Sequence, residues 1–173
     1  MSDNQQQTAD TMIPAPPLLL NAQYIKDLSF RVPGAPGIYA SMPERPHVNL
    51  ALDVIVRPIA EGEQPPVFEV TLTLKCEALA AAPQEGAPAP AVAYQIELGY
   101  AGIFTLANVP QNAIEPVLLA ECPRLLFPFA RSMLADITRE AGFPPVLLQP
   151  VDFIAFWQTK RQQNAQLSAR PAA

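Results

Sequence analysis

The sequence predicts an α+β protein: a four-stranded antiparallel sheet with two C-terminal helices packed on one face. Two observations predict this class. Four segments between residues 23 and 100 alternate apolar and polar side chains, and after residue 106 the apolar spacing changes to three- and four-residue steps. Because the strands come first and the helices follow, we expect the helices to lie together against one side of the sheet.

Each of the four predicted strands has one apolar and one polar face. That pattern favours antiparallel pairing, because parallel strands are usually buried on both faces. The apolar positions are Tyr24, Leu28, Phe30 and Val32 in the first strand; Val48, Leu50, Leu52, Val54 and Val56 in the second; Phe68, Val70, Leu72, Leu74 and Cys76 in the third; and Val92, Tyr94, Ile96, Leu98 and Tyr100 in the fourth.

After residue 106 the apolar residues follow the spacing of a helix, and Pro128 lies within their stripe. The apolar stripe comprises Leu126, Phe129, Ala130, Met133, Leu134 and Ile137. Proline removes a helix hydrogen bond and clashes with the preceding turn, so the first helix is predicted to be kinked or broken at Pro128. Gly142 is suited to end this helix. Asp152 is suited to cap a last helix from Phe153 to about Gln163.

The domain organisation follows from composition along the chain. Residues 21–163 are predicted to form one folded domain between a disordered N-terminal tail, residues 1–20, and a disordered C-terminal tail, residues 164–173. Within the domain, the Ala/Pro-rich residues 80–91 are predicted to form a flexible loop. Only 16% of residues are charged, below the globular average of roughly 25%, so some apolar surface is expected to stay exposed or to be buried between subunits.

Several chemistries find no support in the sequence. The net charge of −5, without a basic cluster, argues against nucleic acid as a partner. His47, the only histidine, has no cysteine or carboxylate at ligand spacing, so no metal site, catalytic residue or cofactor is predicted. Cys76 and Cys122 are expected to be reduced and buried. With no signal peptide and no membrane span, we expect a cytoplasmic protein.

Five segments occur in an order and spacing that resemble a known family. They are residues 24–30, 101–104, 122–131, 142–145 and 150–153. Over roughly residues 22–160 the chain resembles the SecB-type protein-export chaperones. The resemblance implies a homotetramer, a dimer of dimers, without enzymatic activity. It also implies that the protein binds unfolded secretory precursors in hydrophobic grooves and delivers them to the translocation ATPase SecA.

The resemblance also places candidate binding residues for the ATPase. Asp27 and Glu97 correspond to acidic contact positions on the first and fourth strands. Arg31 stands where the family often has an acidic residue, and Gln95 stands where it often has an apolar one. A basic segment of the ATPase would therefore meet less negative charge on this chain.

The candidate groove for client peptides is apolar. Met42 lies in the loop after the first strand, where the family commonly has a tryptophan. The complete predicted set is Ile38, Tyr39, Met42, Leu126, Phe129, Phe153, Phe156 and Trp157. Two alternatives stay open: a monomeric carrier that encloses a small apolar ligand, and an enzyme acting through His47.

Overall fold

Four strands form a single antiparallel sheet in the computed structural model, which describes residues 17–41, 46–60 and 65–168. The strands are β1 (Leu18–Arg31), β2 (His47–Ala60), β3 (Val67–Leu79) and β4 (Val92–Leu106), in the spatial order β1-β4-β3-β2. The earliest strands, β1 and β2, are therefore the two edges. The predicted four-stranded antiparallel sheet is confirmed.

The helices flank this sheet in chain order. A short helix α1 (Gly37–Ser41) follows β1. After β4 come α2 (Gln111–Pro116), a π-helical segment (Val117–Glu121), α3 (Cys122–Glu140) and α4 (Phe153–Ser168). Helix α3 packs on β3 and β4, while α4 packs on the π-helical segment. The α+β class is thereby confirmed, with α3 as the helix that covers the centre of the sheet.

The sheet has two chemically distinct faces. The helix face, which α3 covers, carries the even-numbered residues of β2, β3 and β4, and one of its rows is Leu52, Leu74 and Leu98. Leu74 and Leu98 are fully buried. The outer face carries the odd-numbered residues of these strands, such as the exposed Lys75 and Glu97. Period-two alternation produced this division, as the sequence predicted.

Strand β1 departs from the predicted pattern in two ways. It begins at Leu18, inside the segment 1–20 expected as a tail, while residues 1–16 lie outside the described residues. Its pairing with β4 shifts register between Leu20 and Ala22 and again between Ile25 and Asp27. The second shift places Tyr24 on the outer face, opposite to Leu28, because an irregular extra residue reverses the alternation.

Pro128 does not break α3, which is continuous from Cys122 to Glu140. Of the two outcomes predicted for this helix, a kink or a break, the break does not occur, and the kink stays a prediction. Pro128 and the residue four positions before it, Arg124, are both exposed, so water can hydrate the carbonyl that lacks a partner. The irregular turn lies earlier, where the Cys122 N–H donates to the carbonyl of Val117, five residues back.

The ends of the two long helices follow the sequence signals. Gly142 has φ +83°, and it ends α3 in a Schellman motif: the Phe143 N–H donates to Thr138 O and the Gly142 N–H donates to Arg139 O, both at 3.0 Å. Asp152 Oδ1 accepts hydrogen bonds at 3.0 Å from the N–H groups of the second and third residues of α4. Helix α4 continues to Ser168, so residues 164–168 are not the predicted tail, and residues 169–173 lie outside the described residues.

Gly102 permits the close packing of α3 on β4. A Cβ atom at this position would lie 2.9 Å from Leu126 Cδ2 and 2.8 Å from Phe104 Cε2. Both distances are shorter than any tolerable carbon–carbon contact. Glycine at position 102 is therefore required for close packing of the helix on the strand.

Candidate functional site

A groove on the helix face runs beside the edge strand β2. It has a volume of about 350 Å³ and is open to solvent. We name it the β2 groove and define it by its lining residues, which are Pro46, Val48, Leu50, Tyr94 and residues 144–149. The residues of the wall segment 144–149 form neither helix nor strand.

Small side chains on β3 create the depression beneath this groove. Ala78 pairs with Val48 of β2 on one side and with Tyr94 of β4 on the other, so these three residues form one row of the helix face. Two rows away, the equivalent position on β3 is Leu74. The β3 side chains shrink from leucine through Cys76 to alanine toward this end, so Ala78 occupies little space between Val48 and Tyr94, two lining residues of the groove.

The wall of the β2 groove is tied to the end of α3 by Thr138, which is fully buried. Its hydroxyl donates to Leu134 O at 2.9 Å and accepts from the Val146 N–H at 3.1 Å. Phe143 anchors the same wall, with its ring 4.7 Å from that of Tyr94 and 5.1 Å from that of Tyr39. Helix α3 therefore positions the wall of the groove.

Tyr94 brings a polar atom to the floor of the groove. The residue is 0% exposed, and its hydroxyl has no hydrogen-bond partner. Burial raises the pKa of this hydroxyl, and the nearby Cys76 raises it further. The group is therefore protonated and able to donate a hydrogen bond at neutral pH.

The predicted groove residues separate into three groups. Leu126 is 0% and Phe153 is 3% exposed, and with Ile38 they belong to the core, so they do not line an open groove as predicted. Their side chains are enclosed by other parts of the same chain; Phe153, for example, meets Phe127 edge to face at 5.7 Å. Met42 lies outside the described residues.

The remaining predicted groove residues are accessible but lie apart. Tyr39 is exposed beside the groove wall, where its hydroxyl donates to Ala141 O at 3.0 Å. Phe129 is 48% exposed on α3 and stacks on Tyr100 at 6.3 Å. Phe156 and Trp157 are half-buried on α4, and Trp157 Nε1 donates to a carboxylate oxygen of α2 at 3.1 Å.

Sequence reasoning missed the residues that form the open groove. Leu50 was predicted only as an apolar strand residue, and Leu147, 67% exposed, was not among the predicted groove residues. Pro144 and Pro145 were named only within the segment 142–145 of the family resemblance. The available signal was the shrinking series on the inward face of β3, from Leu74 through Cys76 to Ala78, because small residues on a buried face leave room for something else.

The predicted ATPase-binding residues lie together on the outer face. Arg31 pairs with Gln95 across β1 and β4, and Glu97 pairs with Ser29, two residues from Asp27. They border a concave surface of about 630 Å³, which we name the outer hollow. Its lining residues are Asp27, Ser29, Arg31, Asn49, Leu50, Ala51, Lys75, Cys76, Glu77, Gln95, Ile96 and Glu97.

The charges of the outer hollow are mixed. Lys75 Nζ lies 3.4 Å from Glu97 Oε1, and Gln95 Nε2 donates to Glu77 Oε1 at 2.9 Å. Within the described ranges, neither Asp27 nor Arg31 forms an ion pair. The charges of the hollow without an ionic partner among the described residues are therefore the Asp27 and Glu77 carboxylates and the Arg31 guanidinium.

A second polar cluster lies on the outer face toward the start of β1. The Glu69 carboxylate accepts hydrogen bonds from the Lys26 ammonium and the Tyr24 hydroxyl. These two bonds, with that of Lys26 the stronger cause, lower the pKa of Glu69 below its ordinary value. Glu69 therefore connects β3 with the edge strand β1, even though β4 lies between them.

Apolar side chains remain exposed where α3 meets β1. Phe129 and Leu125 of α3 are exposed, as are Ile25 and Leu28 of β1. Ile25 pairs with Tyr100, on which Phe129 stacks, so Ile25 and Phe129 lie on the same part of the surface. We name this group the α3–β1 patch. Exposed apolar surface of this kind marks an interaction site.

Other chemistry is sparse in the described part of the chain. Cys76 and Cys122 are free and buried, as predicted, and burial raises their pKa values to about 11 and about 12. His47 is exposed at the start of β2. Among the residues that the structure describes, no group of three metal-ligating side chains occurs and no helix is long and apolar enough to cross a membrane.

Known proteins match nearly the whole chain. The family described as Preprotein translocase subunit SecB matches residues 12–164. Protein-export protein SecB of Granulibacter bethesdensis is 54% identical, covering 87% of this chain and 86% of its own length. Protein-export protein SecB of Acidiphilium cryptum is 53% identical, with coverages of 86% and 91%.

A solved structure gives independent support for the fold. It is a SecB-like chaperone of Mycobacterium tuberculosis in complex with a peptide from an antitoxin. It has a TM-score of 0.60 at 14% identity and covers 78% of this chain and 90% of that chain. The long match to the family and the two close relatives show that this chain belongs to the SecB family of protein-export proteins.

Proposed function

We propose that this chain is an ATP-independent cytoplasmic chaperone. It binds unfolded precursor proteins through apolar segments, keeps them competent for translocation and delivers them to SecA. It hydrolyses nothing and requires no cofactor. The observation that carries this proposal is the β2 groove, an open apolar channel beside the free edge of β2.

The physical basis of client binding is twofold. An extended client buries apolar side chains against Leu50 and Leu147, which contributes about 25 cal/mol per Å² before the entropy of binding is subtracted. The main chain of the client can also pair with the edge of β2, since edge strands have unpaired N–H and C=O groups. Neither interaction depends on a particular client sequence.

A direct test uses a secretory precursor unfolded in urea. On dilution, the protein is expected to slow refolding and prevent aggregation of the precursor, as followed by light scattering. Leu147→Ser should weaken this holding activity, whereas Ile154→Ser, at another exposed apolar position, on α4, should not. Unchanged aggregation with a stoichiometric excess of the wild-type protein would refute the chaperone function.

The outer hollow is the surface that we propose for SecA. A basic segment of the ATPase would approach Asp27, while Arg31 opposes it. Asp27→Ala should weaken SecA binding about two- to fivefold, since exposed ion pairs contribute about 0.2–1 kcal/mol. Arg31→Glu should strengthen binding by a similar factor at low salt.

Calorimetric titration of SecA against these variants tests the docking surface. Glu85→Ala is a matched control, because it removes the same charge from the 80–91 loop, away from the hollow. Client holding should be unaffected by all three changes. If Arg31→Glu weakens SecA binding instead, an acidic group of SecA contacts Arg31.

The α3–β1 patch supports the proposed homotetramer, a dimer of dimers. Burial of Phe129, Leu125, Ile25 and Leu28 between copies would remove the exposed apolar surface. Native mass spectrometry is expected to give four times the chain mass of 18.7 kDa. Phe129→Asp should dissociate the assembly. A monomer with an intact fold would instead favour the carrier of a small apolar ligand, although the β2 groove is open rather than enclosed.

A further inference from the structure

The Tyr94 hydroxyl is a buried polar group without a structural role. Among the described residues, it is the one buried side-chain nitrogen or oxygen atom that lacks a hydrogen-bond partner. Burial of an unpaired hydroxyl opposes folding, so native proteins keep few of them. A phenylalanine at this position would avoid that cost.

The packing of the Tyr94 ring does not explain the hydroxyl. The ring stacks on Phe30 with 5.8 Å between centroids and meets Phe143 at 4.7 Å. Both are ring–ring contacts that a phenylalanine would also make. What distinguishes tyrosine here is a single donor at the floor of the β2 groove.

Tyr94 and the exposed Gln149 carry the side-chain donors among the lining residues of the groove. Pro46, Pro144 and Pro145 have no N–H group. The Val146 N–H is already donated to Thr138 Oγ1. A ligand that displaces the wall segment would therefore meet mostly apolar side chains and a protonated hydroxyl, a combination suited to an apolar side chain next to a hydrogen-bond acceptor.

In an unfolded client, the acceptor common to every residue is the main-chain carbonyl. We propose that Tyr94 is a positioning residue of the β2 groove, whose hydroxyl donates a hydrogen bond to a main-chain carbonyl of an extended apolar client segment. This inference rests on the proposed chaperone function and specifies how that site fixes its ligand. It provides a polar anchor that does not read client sequence.

The wall segment must shift for the hydroxyl to become accessible. Residues 144–149 have no regular secondary structure, and among the described hydrogen bonds that of Val146 alone ties them to α3. Opening this segment exposes Tyr94 without disturbing the strand ladder of the sheet. The free-energy cost of the unpaired hydroxyl is then relieved when the client is bound.

Two tyrosine-to-phenylalanine variants test the inference. In Tyr94→Phe the melting temperature should be unchanged or higher, because no hydrogen bond is lost. Tyr39→Phe is the matched control: it removes the hydroxyl that donates to Ala141 O, so it should lower the melting temperature. Binding is measured with a urea-unfolded precursor and with a capped peptide of alternating leucine and serine.

Wild type should bind both probes, and Tyr94→Phe should bind each about three- to tenfold more weakly, as expected for one net hydrogen bond. The amide bonds of the peptide are then replaced by esters, one at a time, because an ester carbonyl is a weaker hydrogen-bond acceptor than an amide carbonyl. One of these replacements should weaken binding to the wild-type protein but not to Tyr94→Phe. Unchanged affinity of Tyr94→Phe, or a lowered melting temperature, would overturn the inference. No binding by wild type would overturn the chaperone function itself, and this inference with it.

Discussion

Alternate residues of strand β4 lie on opposite faces of the sheet. On the helix face, Ile96 and Leu98 are buried beneath α3. On the outer face, Gln95 and Glu97 border the outer hollow and are exposed. The comparison teaches that one strand can position a stable core and a polar docking surface independently, because period-two alternation keeps their side chains apart.

The two faces also place their candidate sites differently. The β2 groove depends on the end of α3 and on an irregular wall, so it can open. The outer hollow is built on four paired strands, so it is preorganised. Substitutions on the helix face should therefore change stability most, and substitutions on the outer face should change partner binding or pH dependence with little cost in stability.

The largest expected effect comes from the core of the helix face. Leu126→Ala should lower the free energy of unfolding by about 2–5 kcal/mol, because it leaves a cavity between α3 and β4. Urea denaturation at fixed protein concentration measures this loss. Ile154→Ala, at an exposed position on α4, should change stability by less than about 0.5 kcal/mol. Equal effects of the two changes would show that Leu126 is accessible to solvent rather than buried.

An intermediate loss of stability is expected at one of two glycines of β4, and the other glycine serves as its comparison. Gly102→Ala should cost about 1–3 kcal/mol, because its Cβ would overlap Leu126 and Phe104. Gly99 is on the outer face, where a Cβ would lie 3.5 Å from Asp27 Cβ, an ordinary contact. Gly99→Ala should therefore be nearly neutral. Thermal unfolding of both variants sharpens the contrast between the faces, and a neutral Gly102→Ala would contradict it.

The smallest effect is the pH dependence of the outer face. The pKa of Glu69 is lowered in the folded state, so its contribution to stability is present above the unfolded pKa, near 4.5, and disappears as the pH falls through the folded pKa. Glu69→Gln should lower the melting temperature modestly at pH 7. Below pH 4.5 the melting curves of variant and wild type should converge. A difference that stays constant from pH 7 down to the lowest pH at which the protein remains folded would show that the carboxylate charge is not the cause.

The sequence was most informative where the alternation is regular. It predicted β2, β3 and β4, the Gly142 and Asp152 caps and the positions on the outer face. It misplaced Tyr24, since the register shift between Ile25 and Asp27 reverses the alternation and no local signal marks it. Element type follows from local pattern, whereas register depends on the partner strand.

The candidate groove was less predictable for a related reason. Helical spacing identified Leu126 and Phe153 as apolar but could not tell which neighbour covers them. Burial depends on the position of α3 over Gly102 and of α4 over Phe127, which are long-range contacts. The open groove instead formed from Leu50, Tyr94 and residues 144–149, which are distant in sequence and share no periodicity.

The π-helical segment (Val117–Glu121) has a consequence for sequence length. A π turn holds one residue more than the α-helical turn it replaces, and each α-helical residue turns the chain by about 100°. Loss of one residue within 117–121 could be absorbed by a return to α-helical geometry, with α3 still presenting Leu126 and Leu134 to the sheet. Loss of one residue between those two leucines would rotate them apart and could not be absorbed. Among relatives, single-residue length differences are therefore expected before Cys122 and not within α3.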